Sequence, residues 1–149
     1  MNEATKQGSG QYLESAVINA PPAKLRLMLI EKAVQVADRL SRRWRHEDTP
    51  AVCEDSIWLL DLLNELLSGV TDKDTELGKQ VSDLYVFLCK HLIAAEETRD
   101  AGAIDEIRLV LEVEAETWRL CCARQLAGEQ PTTETPVPDA GLTGLDLCG

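Results

Sequence analysis

The sequence predicts an all-α protein: an antiparallel four-helix bundle with an N-terminal arm and a flexible C-terminal tail. Three observations predict this fold. The composition is 44% hydrophobic but only 4% aromatic, and it is rich in Leu, Ala and Glu with few β-branched runs, which favours helices over strands. Apolar residues recur at helical spacing in four segments. The connections between these segments are short, so neighbouring helices are expected to pack antiparallel.

Prolines and capping residues indicate where the helices begin. Four helices are predicted at about 22–45, 50–67, 72–98 and 101–126, with the first starting at a proline. Thr49 is the predicted N-cap of the second helix and Pro50 its first residue, while Thr71 or Asp72 begins the third and Asp100 caps the fourth. The residues of the first helix that are predicted to face the core are Leu25, Met28, Leu29, Ala33, Val36, Leu40 and Trp44, with Leu27, Ile30 and Val34 on the opposite side.

The chain is predicted to have three regions: an arm at 1–21, the bundle at 22–127 and an acidic tail at 128–149. The arm begins with polar residues, and Tyr12 and Ile18 then lie among apolar residues that need a surface to pack on. Pro21 and Pro22 mark its boundary, because proline disfavours helical geometry in the residue before it. The tail is rich in Pro, Thr, Gly and acids, a composition typical of flexible segments.

The third helix is more apolar than a core-facing helix needs to be. In the stretch LYVFLCKHLI, at 84–93, the face that contains Leu84 and Tyr85 suits the core, but Val86, Cys89 and Ile93 form a second stripe. The fourth helix has a similar second stripe nearly opposite its core face, formed by Leu109, Val113 and Leu120, and the second helix carries Trp58 and Leu62 to one side. We interpret these extra apolar faces as a surface for a partner.

Charge, hydropathy and cysteine usage exclude several classes of protein. The net charge of −11 argues against a nucleic-acid binder, because such proteins need clustered Lys and Arg. The N-terminal MNEATKQGSG lacks the apolar core of a signal peptide, and no apolar run approaches the ~20 residues of a membrane span. The five cysteines lack paired spacing, so we expect reduced thiols. The sequence therefore predicts a cytoplasmic protein without membrane insertion.

The residues of an enzyme site are scarce. The chain has two histidines, His46 and His91, and Cys89 lies two residues from His91, where helical geometry points the two side chains in different directions. There is no pattern typical of a metal site and no Gly-rich phosphate loop, so neither an enzyme nor a cofactor is predicted. Glu114 falls among core-facing residues and is expected to need a hydrogen-bond partner or a raised pKa.

Several landmarks resemble the flagellar secretion chaperones of the FliS type. Tyr12 and the segment to Asn19–Ala20 are similar to the family's arm. The opening of the first helix is similar to the family's, with Ala20, Pro22, Leu25, Met28 and Leu29. The family's leucine–tyrosine helix is matched by Leu84, Tyr85, Phe87, Leu88, Leu92, Ile93 and Ala95. The last helix carries the remaining landmarks, Asp100, Glu106 and the late tryptophan Trp118. Pro21, Ile30 and Glu114 depart from the family's pattern, which suggests a divergent member.

The resemblance implies a chaperone of flagellum biogenesis and protein secretion that binds the C-terminal segment of flagellin in the cytoplasm. Such binding prevents premature polymerisation and assists export, and it needs no cofactor or metal. Combining this function with the extra apolar faces gives the candidate client contacts, which are Tyr12, Ile18, Ile57, Trp58, Leu62, Val86, Cys89, Ile93, Leu109, Val113 and Leu120. The alternative is a helical structural or regulatory module that homodimerises through the same faces.

Overall fold

The computed structural model of the protein describes residues 22–128. Within this range the chain forms four helices and their connections, and no strand. The helices are α1 (Pro22–His46), α2 (Glu54–Ser68), α3 (Glu76–Thr98) and α4 (Ala101–Leu126). The predicted all-α class is confirmed. The predicted arm, with Tyr12 and Ile18, and nearly all of the predicted tail lie outside the described residues.

Contacts between helices define an antiparallel bundle in which each helix packs on the next one and α4 returns to α1. In three of these four pairs, residues toward the start of one helix meet residues toward the end of the other. The contacts that show this are Arg26 with Leu66 and Arg39 with Asp55 between α1 and α2, Tyr85 with Glu114 and His91 with Glu106 between α3 and α4, and Arg45 with Asp105 and Glu31 with Arg119 between α4 and α1.

The core runs along the axis of the bundle. Full burial of a Leu or Ile side chain contributes roughly 1.5–3 kcal/mol, so the core supplies the main favourable term for folding. The large side chains that are completely buried come from all four helices and are Ile30, Val36 and Leu40, Leu59, Leu63 and Leu66, Tyr85, Leu88 and Leu92, and Ile104, Ile107 and Leu111.

The predicted core face is wrong in the first half of α1. Leu27 and Ile30 are buried, whereas Leu25, Met28 and Leu29 are only half-buried. In the structure, α1 packs most extensively on α4, and a face with buried alanines between its larger residues lets two helices approach closely. The alanines of this face are Ala23, Ala33 and Ala37.

The predicted start of α2 is also wrong. Thr49 and Pro50 precede the helix, which begins at Glu54 with Cys53 as its N-cap. The backbone N–H of Cys53 donates to Ser56 Oγ at 2.9 Å. This bond satisfies a backbone donor that the first turn leaves free. Cysteine is not a preferred cap, which is why the sequence pattern pointed to threonine and proline instead.

The start of α3 lies four residues or more beyond its prediction at Thr71 or Asp72. The N-cap is Thr75, whose Oγ1 accepts from the N–H of Gly78 at 3.0 Å. Asp72 adopts a left-handed conformation with φ of 52°, and its carbonyl oxygen would lie only 2.0 Å from a Cβ at position 78. The loop folds back onto the first turn of α3, and because of this close approach only glycine fits at position 78.

The turn between α3 and α4 is fastened to the end of α1. Asp100 caps α4 as predicted, and its Oδ1 accepts from the N–H of Ala103 at 3.1 Å. Arg99 adopts a left-handed conformation with φ of 52°, and its Nη2 donates to the carbonyl oxygens of Trp44 at 3.2 Å and Glu47 at 2.7 Å. These bonds satisfy carbonyl groups at the C-terminal end of α1.

The cysteines only partly follow the sequence prediction. Cys53, Cys89 and Cys122 are free thiols, as expected. Cys121 is disulfide-bonded, so the prediction of five reduced thiols is wrong at that position, and Cys148 lies outside the described residues. Among the helices of residues 22–128, none is long and apolar enough to cross a membrane.

Candidate binding surfaces

Large apolar side chains remain exposed on three of the four helices. Their positions matter because contiguous apolar groups on a protein surface mark sites of interaction. The exposed large apolar residues are Val52, Ile57, Val86, Phe87, Ile93, Leu109, Val113, Leu120 and Leu126. Two groups of these residues, one on α2 and α3 and one on α4, share a face and are described in turn.

A contact between α2 and α3 fixes the orientation of the first group. The Cys89 thiol on α3 donates to Asn64 Oδ1 on α2 over 3.7 Å, so the side of α3 that carries Cys89 faces α2. Val86 and Ile93 lie three residues before and four residues after Cys89. At helical spacing they share its side of α3, and they are 37% and 52% exposed.

Apolar residues of α2 extend this group around Asn64. Ile57, Leu60 and Leu67 lie seven and four residues before Asn64 and three residues after it, which places them on the same face of α2. Ile57 is exposed, and the other two are half-buried at the edge of the core. We define the α2–α3 surface as Ile57, Leu60, Leu67, Val86 and Ile93.

Two sequence-predicted contact residues are buried, so the expectation that their side chains are exposed is wrong. Leu62 is 7% exposed and Cys89 is 9% exposed, and both belong to the core. The reason is that α2 packs against α1 on one side and α3 on the other, which buries a wide arc of its circumference. Burial also raises the pKa of the Cys89 thiol, which keeps it neutral and able to donate to Asn64.

Trp58 lies on the opposite side of α2, against α1. Its half-buried ring contacts the Lys32 ammonium at 4.6 Å and the Arg39 guanidinium at 5.6 Å from the ring centre. Arg39 also pairs with the buried carboxylate of Asp55 at 2.6 Å, and Arg43 approaches it at 3.3 Å. This side of α2 is thus covered by cations, and Trp58 does not belong to the α2–α3 surface.

The Arg39 hydrogen bonds hold the pKa of Asp55 below its ordinary value. Asp55 is therefore ionised at neutral pH and binds α1 to the first turn of α2. Its position there also places a negative charge near the positive end of the helix dipole.

The second exposed group lies on α4 alone. We define the α4 stripe as Leu109, Val113 and Leu120, which are all at least half exposed. Helical geometry places them nearly opposite the buried face of the helix, as the sequence predicted. The stripe is flanked by ion pairs within the helix, Arg108 with Glu112 at 2.9 Å and Arg119 with Glu116 at 3.2 Å. It is a narrow ridge between charged side chains.

Comparison with known proteins decides the family. The family model described as "Flagellar protein FliS" matches residues 5–125 of the chain. A relative from Salmonella typhimurium (strain LT2), described as "Flagellar secretion chaperone FliS", is 30% identical over 109 residues, which cover 72% of this chain and 81% of the relative. The chain belongs to the FliS family. Its sequence is divergent within it, as the departures at Pro21, Ile30 and Glu114 suggested.

Most of the landmarks that indicated the FliS family in α3 and α4 are structural. Tyr85, Leu88, Leu92 and Trp118 are buried in the core, so they determine how the bundle packs. Phe87 and Ile93 are exposed. Phe87 stacks on His91 at 5.3 Å between ring centres, and His91 contacts Glu106 of α4 at 2.9 Å.

Glu114, the departure from the FliS pattern within α4, has its partner on α3. It is half-buried and accepts a hydrogen bond from the hydroxyl of Tyr85 at 3.0 Å. Burial raises the pKa of Tyr85 far above its ordinary value, and the charge of Glu114 raises it further. Tyr85 therefore remains a neutral donor, and it is the hydrogen-bond partner that the sequence position of Glu114 was expected to need.

Sequence reasoning missed two members of the α2–α3 surface. Leu60 and Leu67 are absent from the sequence-predicted contacts, but they are half-buried at the edge of the core, on the face of α2 that carries Ile57 and Asn64. The signal was the spacing of Ile57, Leu60 and Leu67, which repeats at helical intervals beside the core residues of α2. Within residues 22–128, no group of His, Cys, Asp or Glu side chains is arranged to hold a metal ion.

Proposed function

We propose that the chain is a flagellar secretion chaperone that binds the C-terminal segment of flagellin in the cytoplasm. The bound segment is withheld from premature polymerisation and the subunit is delivered for export. Membership of the FliS family and the name of the Salmonella relative support the chaperone role. The observation that carries the proposed binding is the α2–α3 surface, which offers apolar side chains from two neighbouring helices.

The shape of this surface suits a segment that folds when it binds. A shallow groove between two helices can accept the apolar face of an amphipathic helix, with contacts at every third or fourth residue. Ile57, Val86 and Ile93 are each partly exposed, and burying them further contributes about 1 kcal/mol each. The half-buried Leu60 and Leu67 add further apolar area on α2.

The α4 stripe is proposed as a weaker contact. Leu109, Val113 and Leu120 stand on a single convex helix, so a bound segment would cover less apolar area there. The ion pairs beside the stripe would also have to remain solvated, because burying a charge is costly. Trp58 remains a candidate contact at the α1 side of α2, where its ring is already partly covered. Tyr12 and Ile18 remain candidates in the arm.

The proposed function requires binding and no catalysis. Affinity comes from apolar burial, with the cost of ordering the client segment set against it. None of the groups on the α2–α3 surface is a nucleophile or base in reach of another ionisable group, and Cys89 is held protonated beneath it. The chain is therefore proposed to act without cofactor, metal or chemical step.

Co-purification tests the proposal. The full chain is mixed with the C-terminal segment of its host's flagellin, and light scattering measures the mass of the complex. We expect a one-to-one complex, and no complex with a control peptide in which the apolar residues of the segment are replaced by Ser. Absence of any complex with the wild-type segment would contradict the proposal. A stable homodimer that excludes the segment would favour the homodimerising module instead.

A further inference from the structure

A small cavity lies at the end of the bundle where α1 begins and α2 ends. Its volume is about 190 Å³. Sites for drug-sized ligands and cofactors occupy about 300–1,000 Å³, so this cavity suits a single side chain or a small molecule. Most of its lining is apolar and comes from α1, the end of α2, the connection after it and α4: Pro22, Leu25, Arg26, Leu29, Glu65, Gly69, Val70, Thr71 and Trp118.

Arg26 is the unusual member of this lining. It is only 9% exposed, and arginine is rarely buried without a partner of opposite charge. Its Nη1 donates to the carbonyl oxygen of Leu66 at 2.9 Å. Its guanidinium also lies 5.2 Å from the Tyr85 ring centre and 5.4 Å from the Trp118 ring centre. No carboxylate of residues 22–128 forms an ion pair with it.

Several N–H groups around Arg26 have no acceptor. Within the described part of the chain, Nε and Nη2 of Arg26 and Nε1 of Trp118 are buried without a hydrogen-bond partner. The two aromatic rings compensate part of the charge, because cation–π contacts contribute about 0.5–2 kcal/mol. The ring faces do not accept hydrogen bonds from the guanidinium N–H groups, because these groups point outward in the plane of the guanidinium. A buried donor without an acceptor costs about 1–3 kcal/mol.

The side chain of Arg26 is itself part of the cavity lining. Its Nη1 lies beside Gly69, another lining residue, where an added Cβ would be 3.5 Å away. Nη1 carries two hydrogens, and its bond to the Leu66 carbonyl oxygen uses one of them. The two oxygens of a carboxylate can accept from two nitrogens of one guanidinium.

We propose that this cavity binds a carboxylate group that carries a short aliphatic chain. The carboxylate accepts from Arg26, and the aliphatic chain packs on Leu25, Leu29 and Trp118. Two sources share this chemistry, a small free aliphatic acid and the last residue of a peptide chain. The site is separate from the α2–α3 surface, and the proposal does not depend on flagellin binding.

NMR titration of the ¹⁵N-labelled full chain tests the site. The probes are 4-methylpentanoate and its neutral analogue 4-methylpentanamide, and the assigned indole N–H signal of Trp118 is followed. We expect a saturable shift with the acid and binding at least about tenfold weaker with the amide, because the charge-assisted bonds are lost. No saturable shift with the acid, or equal affinities for the two probes, would overturn the proposal.

A second pair of probes distinguishes the two sources. N-acetyl-leucine has the free carboxylate of a terminal peptide residue, and N-acetyl-leucinamide lacks it. Saturable binding of N-acetyl-leucine but not of its amide supports a peptide terminus as the ligand. Binding of 4-methylpentanoate alone supports a small free acid.

Variants locate the carboxylate within the cavity. Arg26→Gln should abolish the preference for the acid over the amide. Because that change is in a buried position, Glu65→Gln provides a test that leaves the core intact. Glu65 is exposed and lines the cavity, so removing its charge should increase the affinity for 4-methylpentanoate about threefold, whereas Glu54→Gln at the far end of α2 should not. Equal affinities of the two Glu variants would contradict this location.

Discussion

The α2–α3 surface and the α4 stripe carry similar apolar side chains but differ in shape. On α2 and α3, Val86 and Ile93 face residues of the neighbouring helix across the Asn64–Cys89 contact. On α4, Val113 is the most exposed of three residues that point away from every other helix, at 68%. A partner can therefore contact two walls in the first region and one ridge in the second. The exposure of apolar side chains alone does not identify a binding site. The arrangement of the neighbouring helices must be considered as well.

The largest effect on stability is expected from a substitution on the buried side of α2. Leu62→Ala should reduce the free energy of unfolding by about 2–5 kcal/mol, because it removes methyl groups from the core and leaves a cavity. Ile57→Ala, on the exposed side of the same helix, should reduce it by less than about 1 kcal/mol. Urea denaturation followed by circular dichroism measures both. Similar losses in the two variants would show that the assignment of Leu62 to the core is wrong.

The α2–α3 surface should be the region most sensitive to a new charge. Ile93→Asp is expected to weaken binding of the flagellin C-terminal segment at least tenfold, because a carboxylate would be buried against apolar groups. Ala94→Asp introduces the same charge on an exposed neighbouring position that faces away from α2. It should change the affinity little. Isothermal titration calorimetry gives both dissociation constants, and circular dichroism should show unchanged helical content.

On the charged side of α2, the ion pair of Asp55 with Arg39 should make the free energy of unfolding depend on pH. Asp55→Asn should lower the free energy of unfolding by about 1 kcal/mol at pH 7, because hydrogen bonds to Arg39 lose their charge. Since folding lowers the pKa of Asp55, its stabilisation is present above the unfolded-state pKa of about 3.9 and is lost as the pH falls further. The difference between wild type and variant should therefore shrink below about pH 4. A difference that is constant from pH 7 to pH 2.5 would argue against this ion pair.

The smallest effect is expected on the α4 stripe. Val113→Asp should weaken binding of the flagellin segment less than about twofold, because the side chain is already solvated and the ridge offers few contacts. Val113→Thr serves as a matched control, because it keeps the shape of the side chain and adds no charge. If Val113→Asp weakens binding as much as Ile93→Asp does, the client covers both regions and the distinction between groove and ridge fails.

Much of the fold follows from local sequence. The helical spacing and the Asp100 cap predicted α4 and the end of α3 correctly. The starts of α2 and α3 could not be predicted in this way. Cys53 is an atypical cap, and the start of α3 depends on the close approach of Asp72 to Gly78, which is a feature of the folded loop.

The candidate surfaces could be predicted from the sequence less completely than the fold. Helical periodicity identified Val86, Cys89 and Ile93 as one stripe, but it could not show that α2 covers Cys89 and leaves the other two exposed. The same limit applies to Leu62, which lies within the arc that α1 covers. Periodicity gives the direction of a side chain from its own helix axis, whereas exposure depends on where the neighbouring helices lie.

Methyl NMR would test the central claim most directly. In the full chain labelled at Ile, Leu and Val methyl groups, the C-terminal segment of flagellin is added without a label, and saturation transfer identifies the methyl groups that it contacts. The expected result is strong transfer to Ile57, Val86 and Ile93 and weak transfer to Leu109, Val113 and Leu120. Transfer confined to the three residues of the α4 stripe would contradict the proposal that the α2–α3 surface is the main binding site.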